Sequence, residues 1–136
     1  MQDTARTGTS TYSSAVEPPA DHRPLILHLF EQQGQTAEDA LRNFDWFYGG
    51  HAFQQLHLQV LRHHAGDSDE AVGVVSMVSR GWHCQGRELE LALLGNLVVD
   101  QHHRSLGPAV KLLRETLATV EQAVDYCYLL PNPSTK

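Results

Sequence analysis

Lysine is almost missing from this 136-residue chain: Lys111 and Lys136 are its two lysines among ten basic residues, and the formal charge is -6. Without a basic stripe, a protein that grips nucleic acid by neutralising backbone phosphates is excluded. The two cysteines, Cys84 and Cys127, form no Cys-x-x-Cys pair, so spacing supports neither a zinc knuckle nor a disulfide framework. Both lie in apolar strand-like runs and read as buried thiols. No run reaches the ~18 apolar residues of a membrane span. The N-terminus lacks an apolar signal core, which makes the cytoplasm the default location. A Gly-x-Ser-x-Gly elbow is absent, and Gly107 has neither the glycine spacing nor the following Lys-Ser/Thr of a phosphate loop, with Lys111 too far along. Serine hydrolase and P-loop chemistry are thereby excluded.

What is present fits one soluble domain, with 41% apolar and 19% charged residues. Met1 to Ala20 are rich in Thr, Ser and Pro and have too few large apolar side chains to offset the entropy of ordering. A disordered tail is expected over 1–23, followed by a single domain over 24–136. Leu25 to Phe30 is apolar but too short for periodicity to separate helix from strand, and reads as a short helix. Thr36 precedes Glu38, Asp39 and spaced apolar residues, an N-cap with an acidic first turn that predicts a helix ending at Gly49-Gly50. Four of the ten aromatic residues crowd its end as Phe44, Trp46, Phe47 and Tyr48, where they read as core anchors.

Alternation from Gln54 to His63 predicts a strand, and Gly66 to Glu70 a turn. Ala71 to Trp82 reads as a central strand and Gln85-Gly86 as a second hairpin turn. Arg87 to Val99 is a long third strand, interrupted at Gly95-Asn96 where a bulge or splay is expected. Pro108 to Gln122 has helical spacing with proline in the first turn, and Val124 to Leu130 reads as a last strand. Two hairpins followed by a strand-helix-strand crossover imply an α+β fold with a mixed, mostly antiparallel sheet and helices packed on it.

The most informative stretch joins the strand Leu97-Val98-Val99 through Asp100-Gln101-His102-His103 to Arg104-Ser105-Leu106-Gly107-Pro108-Ala109. A helix begins there, and a helix N-terminus carries unpaired N–H groups and partial positive charge suited to phosphate. Arg104 to Ala109 matches Gln/Arg-x-x-Gly-x-Gly/Ala, and with its flanking strand and helix it resembles the acetyl-CoA pyrophosphate loop of GCN5-related N-acetyltransferases, the GNAT superfamily. The resemblance runs from about Thr36 to Asn132. It implies that Arg104, Ser105, Leu106, Gly107 and Ala109 ring the pyrophosphate, and that Leu97 and Val99 offer free backbone groups to the pantetheine arm. Ser105 replaces a frequent glycine, and Pro108 removes one N–H, leaving at most five donors.

The family fold continues past its fifth strand, so the resemblance also implies a domain incomplete at its C-terminus and an uncovered sheet edge prone to self-association. The Arg-Ser-Leu-Gly-Pro-Ala string, with Asp-Trp-Phe-Tyr upstream and Pro-Asn-Pro downstream, resembles bacterial branches linked to polysaccharide pathways. Asn132 has two readings, a pantetheine-facing side chain or a turn residue between prolines. The implied activity is transfer of an acetyl group from acetyl-CoA to a primary amine of a small molecule or amino sugar. The alternative is a non-catalytic CoA-binding or interaction module.

A general base is available in Glu90, or in Glu88 on the same strand face, against the reading that both are solvated carboxylates. Nine histidines include the doublets His63-His64 and His102-His103. Neighbours on a strand point to opposite faces, so neither doublet chelates one ion by itself, and no metal is expected.

Overall fold

The computed structural model describes residues 10–48, 56–122 and 124–129. In order, the elements are β1 (Ser10–Glu17), a 3-10 turn (Pro19–His22), α1 (Arg23–Gln32), α2 (Ala37–Tyr48), β2 (Leu56–Ala65), β3 (Ser68–Cys84), β4 (Arg87–Val99), a 3-10 turn (Gln101–His103), α3 (Leu106–Val120) and β5 (Tyr126–Leu129). The five strands form one sheet in sequence order. The first four are antiparallel, and β5 returns through α3 to run parallel to β4, as the crossover pattern predicts.

Each sheet face has its own core. On one, Ile26, Leu29 and Phe30 of α1 and Ala40 and Phe44 of α2 pack on Leu58, Val60, Val74 and Val98. On the other, Leu112 and Val120 of α3 pack on Leu61, Val75, Met77, Ala92 and Leu94. The alternation of strand side chains sends successive residues to opposite cores. Thr36 caps α2 by accepting the Asp39 N–H at 3.0 Å.

Local departures from the sequence reading have specific causes. The expected tail is ordered from Ser10: β1 pairs with β2 over eight residues, and the turn after it buries His22. Residues 1–9 lie outside the described residues. Gly66 and Asp67 alone make the first hairpin turn, with Gly66 at φ +59°, so β3 starts at Ser68 rather than after Glu70. Gln85 and Gly86, both at positive φ, close the second. The end of that hairpin is exposed, Cys84 with it and Trp82 at 47%; Cys127 is only half-buried. Phe44 is the one buried aromatic of the α2 cluster, whereas Trp46 is 60% exposed. α3 begins two residues earlier than Pro108, at Leu106.

One close approach fixes a glycine. A Cβ on Gly73 would lie 3.1 Å from Val99 Cγ2 and 3.2 Å from the Val98 carbonyl oxygen. Gly73→Ala is expected to cost about 1 kcal/mol by overpacking, read as a lower denaturation midpoint at unchanged m-value. A midpoint equal to or above the parent's would show that β4 moves aside freely.

Candidate functional site

The end of β4 is shaped by a bulge. Ser76 pairs with Gly95 and Val74 with Val98, so Asn96 and Leu97 together oppose Val75. Asn96 takes φ +52°, which its short polar side chain tolerates. This is the interruption expected at Gly95-Asn96. On the other edge, β5 pairs with β4 only from Leu91 to Leu94. On that edge, no described strand lies beside Leu97 or Val99.

Backbone direction there follows from one hydrogen bond. The Asp100 N–H donates to the Val72 carbonyl at 2.7 Å, so Asp100 and Val98 turn their polar groups towards β3 and the intervening Val99 turns away, as does Leu97. Leu97 and Val99 therefore face away from β3, as a strand-like ligand requires. The Val99 carbonyl already accepts the Arg104 Nε–H at 2.9 Å, which leaves its N–H and both groups of Leu97 for an added chain.

The turn into α3 is rigidly tied. Asp100 Oδ1 accepts the His102 N–H at 2.9 Å, and its carbonyl accepts the His103 N–H at 2.8 Å. Gln32 of α1 clasps the turn from outside, donating to Asp100 Oδ2 at 3.3 Å and accepting the Gln101 N–H at 3.0 Å. Partial burial raises the Asp100 pKa, but these hydrogen bonds outweigh it and hold the carboxyl below its ordinary value.

The donor set at the helix start is smaller than the sequence suggests. The Ser105 N–H is committed to the His103 carbonyl at 2.9 Å, and Pro108 has none. Leu106 and Gly107 then supply the first-turn N–H groups without intrahelical acceptors. Gly107 is exposed, and a Cβ placed on it would meet nothing within 4 Å. Arg104 is exposed beside it, and Ala109 is half-buried one step into the helix. The residues thus fit a phosphate-bearing ligand through two N–H groups, an open approach and one guanidinium.

Glu88 and Glu90 are not part of this constellation. Glu88 is exposed at the hairpin end, 4.0 Å from His83. Glu90 lies on the α3 face in the lining of a cavity of about 380 Å³, with His57, Met77, Ser79, Thr119 and Val124. Six residues of strand rise separate it from Asn96, about 20 Å. Its backbone is paired to Asp125, whose Oδ2 accepts the Glu90 N–H at 2.8 Å. Asn132 lies outside the described residues.

A group that the sequence reading takes as a core anchor stands at the bulge instead. Tyr48, the last residue of α2, reaches across to the buried Ser76, with the two hydroxyl oxygens 2.5 Å apart. Burial pushes the Tyr48 phenol above its ordinary range, outweighing hydrogen bonds from Ser76 and Asn96. A protonated hydroxyl is therefore held next to the bulge, on the face covered by α1 and α2.

No family model and no curated protein matches the chain in sequence. Solved structures do match in shape. Glucosamine-6-phosphate N-acetyltransferase from Arabidopsis thaliana superposes with a TM-score of 0.62 at 15% identity, over 93% of this chain and 86% of that one. A GCN5-related N-acetyltransferase from Ralstonia eutropha gives 0.62 at 16% identity, over 91% and 86%. This chain has the GNAT fold. A predicted acetyltransferase with acetyl-CoA from Clostridium acetobutylicum shares the GNAT fold too, at a TM-score of 0.58 and 11% identity, over 93% of this chain and 83% of that one. The mixed sheet expected from the hairpins and crossover is the GNAT sheet.

Proposed function

We propose that this chain is an N-acetyltransferase acting in the cytoplasm, which takes its acetyl group from acetyl-CoA and delivers it to a primary amine of a small molecule or amino sugar. One observation carries the reading: the β4 edge at Leu97 and Val99, beside which no described strand lies, leads through the short turn at Gln101–His103 to the exposed first turn at Gly107. That continuity suits a ligand with an amide-bearing arm at one end and a pyrophosphate at the other. Leu97 and the Val99 N–H pair with the arm like an added strand. Arg104, Leu106 and Gly107 receive the phosphates, with Ser105 and Ala109 shaping the turn.

The amine nitrogen bonds to the acetyl carbon and gives up a proton to solvent, the carbon–sulfur bond breaks, and the thiolate takes up a proton. Tyr48 is the hydroxyl placed to give it, since it remains protonated at neutral pH beside the bulge. The competing reading, a CoA-binding module without turnover, is favoured by the remoteness of Glu88 and Glu90 from the bulge.

Thiol release from acetyl-CoA with a panel of primary amines and amino sugars, run beside thermal melts with CoA, tests this reading. Release with at least one amine, together with a CoA-dependent rise in Tm, is the expected result. A rise without release establishes the binding module, and neither overturns both. With the amine identified, Tyr48→Phe is expected to lower kcat about a hundredfold with little change in KM for acetyl-CoA. An unchanged kcat removes Tyr48 from the reaction.

A further inference from the structure

The turn that carries Arg104 also closes a cluster that neither histidine doublet suggests alone. His63 on β2 pairs with Tyr12 of β1 on one side and Glu70 of β3 on the other, a row of three side chains across the sheet. The 3-10 turn after β4 lays His103 over that row, with its ring centroid 4.7 Å from that of His63. One ligand atom each from His63, Glu70 and His103 falls within a span of 4.8 Å. Each doublet contributes one member, so the rule that adjacent strand residues diverge is kept while two imidazoles still meet.

We infer that His63, Glu70 and His103 form a binding site for a transition-metal dication of the zinc class, with Tyr12 orienting one ligand. Two imidazoles and a carboxylate are a donor set for zinc and its neighbours, not for magnesium or calcium, which take oxygen. Three protein ligands leave a fourth tetrahedral position open. The Tyr12 hydroxyl lies 3.0 Å from His103 Nδ1, and His103 Nε2 faces Glu70 Oε1 at 3.7 Å. Holding one imidazole nitrogen so that the other is aimed at the metal is the usual outer-shell arrangement. Ligand atoms at zinc lie about 3.3 Å apart for bonds of about 2.0 Å, so the cluster must contract on binding. Glu70, with its side chain 63% exposed, can swing in; His103, 16% exposed, is already seated. The site joins three strands to the turn before α3, so a bound ion pins that turn to the sheet. It does not depend on the acetyl-CoA reading.

The full chain, with no residual affinity tag, is titrated with zinc chloride in a calorimeter and with cobalt(II) chloride by visible absorption. The expected result is one ion per chain, ligand-field bands for cobalt, a zinc-dependent rise in Tm and no response to magnesium. His63→Ala and His103→Ala should each weaken binding at least a hundredfold, Glu70→Gln at least tenfold and Tyr12→Phe about tenfold. His83→Ala, at the exposed hairpin end, should bind as the parent does. Absence of binding in the parent, or parental affinity in folded His63→Ala and His103→Ala variants, overturns the site. Should a histidine variant fail to fold by circular dichroism, parental affinity in Glu70→Gln and Tyr12→Phe overturns it equally.

Discussion

Gly107→Glu is expected to abolish CoA binding while leaving the chain at least as stable as the parent, because the substitution acts with opposite signs on folding and on the ligand. For folding, the new Cβ meets nothing within 4 Å, so no packing is disturbed. Glutamate is a better helix former than glycine by a few tenths of a kcal/mol to about 1 kcal/mol. A carboxylate in the first turn of α3 also complements the helix dipole, by about 0.3–1 kcal/mol. For the ligand, the same carboxylate fills the open approach to the Leu106 and Gly107 N–H groups and sets negative charge against a pyrophosphate. Calorimetry should show Kd for CoA raised at least a hundredfold, about 2.7 kcal/mol, and thermal melts should show Tm equal to or above the parent's. Gly107→Ala, lacking the charge, should stay within tenfold of parental affinity. A folded Gly107→Glu chain with unchanged affinity would place the pyrophosphate elsewhere.

The strand, bulge, turn and helix leading to Gly107 were readable from sequence because their signals are local. Val98-Val99, Gly95-Asn96, Gly107-Pro108 and the helical spacing after them fix strand, bulge, turn and helix within about twenty residues of one another, and the parallel return of β5 follows from the crossover helix. Donor number was harder to read. The Ser105 N–H and the Val99 carbonyl have partners in the turn itself, His103 and Arg104, and such bonds leave no trace in residue type. Glu90 shows a different limit. Alternation places Glu88, Glu90, Ala92 and Leu94 on one strand face, yet which helix covers that face is a tertiary fact, and α3 covers it. Tyr48 meets Ser76 and Asn96, and His63 meets His103, through contacts made only by the finished sheet. β1 was hidden for the same reason, since Ser10 to Glu17 has little apolar pattern and is held by its ladder to β2 and by side-chain bonds to distant residues.

The strongest of those bonds should make Glu17 the acid-sensitive anchor of β1. Its two carboxylate oxygens accept from Arg62 Nε at 2.8 Å and from Arg62 Nη2 at 2.7 Å, a forked pair, and Oε1 also meets the buried His22 at 2.8 Å. The Arg62 hydrogen bonds, working against burial and helped by His22, hold the Glu17 pKa down to about 2 from 4.5. A carboxyl whose folded pKa lies below its unfolded value stabilises fully above the unfolded value, and this contribution fades as pH falls from about 4.5 towards 2. The shift caps the contribution at about 3 kcal/mol. With the side chains of Glu17 and Arg62 still 21% and 30% exposed, solvent screening brings it to about 2 kcal/mol. Glu17→Gln should therefore lower unfolding free energy by about 2 kcal/mol at pH 7, and the gap from the parent should shrink by half or more by about pH 3. Arg62→Ala should cost at least as much at pH 7, since it strips the carboxylate of its main partner. Urea denaturation of the three chains across that pH range measures both effects. A gap between parent and Glu17→Gln that is constant with pH would mean that Glu17 titrates alike in the folded and unfolded chain and does not anchor β1 through its charge.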